Sequence, residues 1–192
     1  MNINKVSIED IEIREKRVFI RVDFNVPLDT NGGPLIIADD TRIRSSLPTI
    51  NYAIDQGAKV ILCSHHGRPA GKPEPEHTLA PIAARLGRLL KKDVLFARDC
   101  VGQAVEPLAA TMAPGDVLLL ENVRFHPGEV NNHESFAKAL AAHADVYIND
   151  AFGTAHRDHA STTGITRFVQ TTAMGFLLRK EIRYLESAIV SP

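Results

Sequence analysis

Four stretches of this chain collect side chains that do chemistry on anions. They are "RVDFNVPLD" (21–29), "SHHGRP" (64–69), "ENVRFHPGE" (121–129) and "NDAFGTAHRDHAST" (149–162). The last sets the small residues Ala151, Gly153, Thr154 and Ala155 before Arg157, which has His156 and His159 on either side. Small residues let backbone come close to something, and arginine and histidine supply donors and positive charge. A guanidinium is a planar fork that matches a carboxylate or phosphate through two hydrogen bonds. Two anionic groups on one small molecule need several such forks on separate loops. Arg68, Arg124 and Arg157, with His65, meet that need, and Arg42 in "DDTRIR" adds a fourth. Asp23 and Asn25 stand in an Asp-x-Asn-x-Pro turn that also accepts hydrogen bonds from hydroxyls.

The elements that must position these residues show in the apolar patterning. Apolar, β-branched runs recur at 17–23, 59–64, 93–97, 116–121 and 145–150. They do not alternate with polar residues, so both faces are expected to be covered, as in a parallel sheet between helices. Helical spacing links Ile43, Leu47, Ile50 and Ile54. It also links Leu79, Ile82, Leu86, Leu89 and Leu90, and then Leu178, Ile182, Leu185 and Ile189. The pattern predicts a doubly wound, three-layer α/β domain with a mostly parallel sheet. Segment 67–77 is rich in Pro and Gly and reads as a loop. In such sheets ligands bind outside the carboxyl ends of the strands, which is where the four motifs begin. Arg21, inside an apolar strand, is expected to pair with a carboxylate.

Composition removes several function classes. The chain has 192 residues and a formal net charge of −1, so no global basic field points to nucleic acid or membrane. With no Trp and three Tyr there is no aromatic stacking set. No apolar run is long enough to span a bilayer. The two cysteines, Cys63 and Cys100, form no CxxC pair and no Cys/His metal spacing, and read as buried thiols of a cytoplasmic protein. His65 and His66 are adjacent and point apart, so no metal is expected there. His77, His126, His133 and His143 read as surface residues. There is no GxGxxG after the first strand and no GxxxxGK[ST], so the usual phosphate-cradling loops are missing.

Taken together and in order, "RVDFNVP", "SHHGRP", "LLLENVRFHPGE" and "INDAFGTAHRDHAS" resemble the phosphoglycerate kinase family, from about residue 5 to the end. The resemblance implies a Rossmann-like N-terminal domain of a two-domain glycolytic kinase. Such an enzyme moves a phosphoryl group reversibly between 1,3-bisphosphoglycerate and MgADP. By motif position, Asp23 and Asn25 would hydrogen-bond the substrate's hydroxyl and nearby polar atoms. Arg42 would lie closest to the transferring phosphoryl group. His65, Arg68, Arg124 and Arg157 would clamp the 3-phosphate. The same resemblance implies that residues 1–175 form the phosphoglycerate-binding domain and 176–192 the start of an interdomain helix. Mg-ATP or Mg-ADP would be held by the C-terminal domain, the chain's own partner in a monomeric cytoplasmic enzyme, and nothing in these residues matches that nucleotide site. The chain alone is expected to bind the acceptor without turnover. A stand-alone, non-catalytic module for phosphorylated metabolites is the other reading. Two residues depart from the family's pattern: His66, where an apolar residue is usual, and Asp158, where a small one is.

Overall fold

The computed structural model describes residues 6–29, 33 and 35–190, with side chains described as far as residue 187. The chain runs through β1 (Arg17–Arg21), β2 (Leu28–Asp29), β3 (Ile36–Ile37), α1 (Thr41–Asp55), β4 (Lys59–Cys63) and α2 (Ala80–Leu90). It continues with β5 (Val94–Phe96), α3 (Glu106–Thr111), β6 (Val117–Leu119), α4 (Pro127–Val130) and α5 (Glu134–Ala141). Then come β7 (Val146–Asn149), β8 (Thr171–Met174) and α6 (Phe176–Val190). Six strands form one parallel sheet in the order β5-β6-β4-β1-β7-β8, and β2 and β3 make a separate antiparallel ribbon.

Alternation along each strand explains the three layers. Side chains of successive strand residues point to opposite faces. Val18 and Ile20 of β1, Val60 and Leu62 of β4, and Val146 and Ile148 of β7 join one core, with Ile43 and Ile50 of α1 and Ile82 and Leu86 of α2. Phe19, Ile61 and Tyr147, from the same strands, join the opposite core, with Ala109 of α3 and Phe136 and Leu140 of α5. A polar residue on either face of these strands would be buried, which is why the runs are apolar throughout.

The five expected strands are present and shorter at their ends; β1 stops at Arg21, two residues before Asp23. The sixth, β8, reads "TTAM", too short and too polar to stand out by pattern. The order in which strands are added switches sides of the sheet at β1, which has β4 on one side and β7 on the other. The crevice at such a switch is where open α/β sheets bind ligands, and the four motifs open onto it.

Helix α6 is docked at its first turn. The Phe176 N–H donates to Thr49 Oγ1 of α1 (2.9 Å), and the Phe176 ring meets Tyr52 edge-on at 5.4 Å. Exposed apolar surface therefore lies further along, at Tyr184 and Leu185 rather than at Phe176; the side chain of Ile189 lies outside the described residues. Asp150, the residue after β7, is fully buried and ties that strand to α6, with Oδ1 accepting from the Leu177 N–H (2.9 Å) and the Leu178 N–H (3.3 Å). Its other oxygen, Oδ2, has no hydrogen-bond partner. Burial is the largest influence on this carboxyl and pushes its pKa up to about 6, against the pull of Thr49 and the two backbone N–H groups. A group whose pKa is higher in the folded state stabilises the fold while it is protonated. That contribution is present below about pH 4 and lost as pH rises through about 6. Asp150→Asn keeps an acceptor and cannot ionise. Denaturation at a series of pH values should show the variant gaining on the parent as pH rises from 4 to 7, by about 3 kcal/mol in all. A difference that stays constant with pH would contradict this.

Candidate functional site: a cationic hollow at the strand ends

Each loop leaving the carboxyl edge delivers part of one cluster. After β1, Asp23 Oδ1 accepts from the Asn25 N–H (3.2 Å), closing the Asx turn expected there. Asp23 Oδ2 pairs with Arg42 in the first turn of α1. Gly153, in the turn after β7, lies against this carboxylate; a Cβ there would sit 3.2 Å from Asp23 Oδ2. The small residue at 153 thus makes room for a carboxylate of the protein itself.

After β4 comes the His65–Arg68 loop. Its backbone is held from three directions. Asn25 Oδ1 accepts from the Gly67 N–H (2.9 Å), Arg124 NH1 donates to the Gly67 carbonyl (2.6 Å), and Asn122 binds both backbone groups of His66. Gly67 has φ +62°, and a Cβ there would strike the His77 ring, so no side chain fits. After β6, Asn122 Oδ1 also accepts from the Arg124 N–H (3.1 Å), so one amide sets the loop that carries Arg68 and the turn that carries Arg124. The turn after β7 supplies Arg157 and His159.

Arg68, Arg124 and Arg157 then line one hollow of about 250 Å³, together with Pro69, Val130 and His159. Arg21, near enough to act on Arg124, is buried, donating to Ser161 Oγ (2.8 Å), to the Val22 carbonyl and to His65 Nδ1 (3.2 Å). The expected carboxylate partner of Arg21 is one step away. Glu129, with no exposed surface, accepts from Ser161 Oγ (2.6 Å) and from the Ser161 N–H (2.9 Å). Arg124 is lowered by burial first and then by Arg157 and Arg21, while Glu129 opposes them.

His65 does not carry the positive charge that the residue type suggests. Arg21 can only donate, so Nδ1 of His65 holds the lone pair and the ring proton sits on Nε2. Burial, then Arg21, Arg124, Arg157 and Arg42, hold its pKa far below the usual histidine range. His65 offers a neutral N–H donor among four cations.

All seven residues singled out from the sequence, Asp23, Asn25, Arg42, His65, Arg68, Arg124 and Arg157, are thus brought to this edge. Asp158 is exposed and turned aside, its carboxylate accepting from Asn132 Nδ2 (2.7 Å). His66 is buried, with Nε2 against the Val26 carbonyl (2.9 Å). His143 is buried too, against expectation, and His77 and His126 are half-buried; His133 is exposed. The sequence reading passed over Glu129, Ser161 and Asn122. Their signal was a polar residue inside a quoted motif, with nothing local to say that it faces inward.

A family model described as phosphoglycerate kinase matches residues 8–192. The chain belongs to the phosphoglycerate kinase family. It is 57% identical over 188 residues to the phosphoglycerate kinase of Anaeromyxobacter dehalogenans (strain 2CP-1 / ATCC BAA-258), covering 97% of this chain and 47% of that one. The phosphoglycerate kinase of Geobacter metallireducens is 55% identical over 186 residues, covering 96% and 46%. Among solved structures, phosphoglycerate kinase from Coxiella burnetii superposes with a TM-score of 0.84 at 40% identity, over 96% of this chain and 45% of that one. The enzyme from Pyrococcus horikoshii OT3 gives a TM-score of 0.84 at 36% identity. The chain spans about half the length of the curated relatives it matches. Among the described residues no helix is long and apolar enough to cross a membrane.

The protonation of His65 can be checked directly. Long-range proton–nitrogen NMR signals assigned to His65 should show a neutral ring with its proton on Nε2 and no titration between about pH 5 and 8, where an ordinary histidine changes charge. A His65 ring that titrates near pH 6.5 would contradict the assignment.

Proposed function

We propose that this edge binds 3-phosphoglycerate and 1,3-bisphosphoglycerate for a phosphoglycerate kinase reaction. The observation that carries the reading is the convergence of Arg68, Arg124 and Arg157, from three separate strand-end loops, on one small hollow. Three forks suit the terminal oxygens of a phosphate better than a single carboxylate does. In this reading the 3-phosphate occupies the hollow, with the neutral His65 N–H as a further donor. Asp23 and Asn25 accept from the substrate's hydroxyl and order its polar atoms. Arg42, the most exposed member of the Asp23–Arg42 pair, meets the reacting carboxylate and the transferring phosphoryl group.

The chemistry asks little more of these residues. A substrate carboxylate is ionised at neutral pH, so no general base is needed. Its attack on phosphorus brings negative oxygens together, and a placed guanidinium offsets that charge. Magnesium brought with the nucleotide would supply further charge neutralisation. This face does not suit that ion: its hollow is lined by three guanidiniums and no carboxylate. Residues 1–175 are read as the phosphoglycerate-binding domain, and the helix from 176 onward as the path to the nucleotide-binding domain. The whole enzyme is read as a cytoplasmic monomer acting on dissolved metabolites, with no nucleic acid or membrane partner.

Arg157→Ala should weaken 3-phosphoglycerate binding about 10- to 150-fold by calorimetry, from the loss of hydrogen bonds to a charged group. Binding to the parent should weaken as salt rises. Asp158→Ala should change affinity within error, because Asp158 faces Asn132 rather than the hollow. A folded Arg157→Ala protein that binds like the parent would take this residue out of the site. In a coupled assay the 192-residue chain should transfer no phosphoryl group from ATP to 3-phosphoglycerate. Turnover above a mock preparation cleared of host enzyme would refute that.

A further inference from the structure

A second cluster lies where β5 and β6 leave the sheet, apart from the arginine hollow. The turn after β5 carries Asp99 and Cys100, and the turn after β6 carries His126. A carboxylate oxygen of Asp99, Sγ of Cys100 and a ring nitrogen of His126 lie within 4.8 Å of one another. Each is held in orientation. Asp99 Oδ1 stands 2.6 Å from His126 Nε2 and accepts from the Cys100 N–H (2.6 Å). The His126 ring is stacked on Phe136, with centroids 4.8 Å apart. Cys100 is buried, its thiol donating to the Glu121 carbonyl (3.2 Å), while the Asp99 and His126 side chains keep 42% and 31% of their surface open. An ion arriving from solvent would therefore meet oxygen and nitrogen first and sulfur behind them.

One sulfur, one imidazole nitrogen and one carboxylate oxygen make a ligand set for a soft or borderline metal. Around zinc, with bonds of about 2.0–2.3 Å, tetrahedral ligand atoms stand about 3.2–3.8 Å apart. The present atoms, all within 4.8 Å of one another, reach that with movements of about 1 Å, the 2.6 Å Asp99–His126 contact opening and the wider separations closing. Magnesium prefers an octahedron of oxygens and does not fit. We propose that Asp99, Cys100 and His126 form a binding site for a thiophilic divalent cation, zinc or cadmium, with water in the fourth position.

On binding, the Cys100 S–H bond breaks as the sulfur–metal bond forms and that proton goes to solvent, while the proton shared between His126 Nε2 and Asp99 Oδ1 gives way as His126 takes the tautomer protonated on its non-ligating nitrogen. Because the thiol must give up its proton to bind, affinity rises with pH. Sequence spacing hides the site because Asp99 and His126 are 27 residues apart.

Cadmium titration of the chain tests this, followed by the ultraviolet charge-transfer band of a cadmium–thiolate bond. One equivalent should bind with that band and release a proton, and millimolar magnesium should not compete. Cys100→Ser should abolish the band, and Cys63→Ser should leave it unchanged. His126→Gln and Asp99→Asn should each lower affinity at least tenfold while keeping the band. These two variants decide the matter if Cys100→Ser does not fold. A band absent from the parent, retained in Cys100→Ser, or formed with unchanged affinity in both His126→Gln and Asp99→Asn would overturn the site.

Discussion

Gathering five guanidiniums at one end of a sheet costs repulsion that the fold must offset before any ligand is present. The offset is Glu129, a carboxylate with no solvent contact that reaches the buried Arg21 through Ser161 and opposes the depressing influence of Arg157 and Arg21 on Arg124. Removing one partner from such a buried arrangement leaves an uncompensated charge, which is among the costliest changes a protein can suffer. Ser161 makes the link indirect. It spreads one carboxylate over the hydroxyl and the backbone N–H of the turn that follows Arg157, so the counter-charge also fixes where that arginine starts from.

Neutral groups carry the rest of the organisation. Asn122 sets the backbone of two loops with one side chain, and His65 fills space among the cations without adding to their charge. Both are effective because they are buried. In the interior a satisfied hydrogen bond is stronger than in water and an unpaired polar group is more costly, so an amide or imidazole with one workable arrangement acts as a rigid joint.

The sheet, and the edge on which the candidate site residues gather, were legible in the sequence for a geometric reason. Apolar runs mark strands buried on both faces, strand direction fixes which end is the carboxyl end, and the Arg/His motifs begin there. The parts that stayed hidden depend on contacts made across the chain. Arg21 and His65 meet over 44 residues, and Ser161 and Glu129 over 32. Nothing beside His65 in the chain says that four arginines will surround it, and nothing in "HADVYI" says that His143 will be turned inward. β8 was missed because a short threonine-rich strand at a sheet edge has too little apolar pattern to announce itself.

The pairing of Asp23 with Arg42 sets an anion of the protein's own on the candidate site. A ligand that reaches Arg42 therefore displaces or shares with a tethered carboxylate rather than filling a vacant position. An internal competitor of this kind sets a threshold. Small, weakly coordinating anions gain too little at Arg42 alone to dislodge a neighbour that costs almost no entropy to hold, whereas a molecule anchored elsewhere on the same face arrives with its second charge already in range. On the proposed function, discrimination then follows from the spacing of two charges on the ligand rather than from the strength of either one.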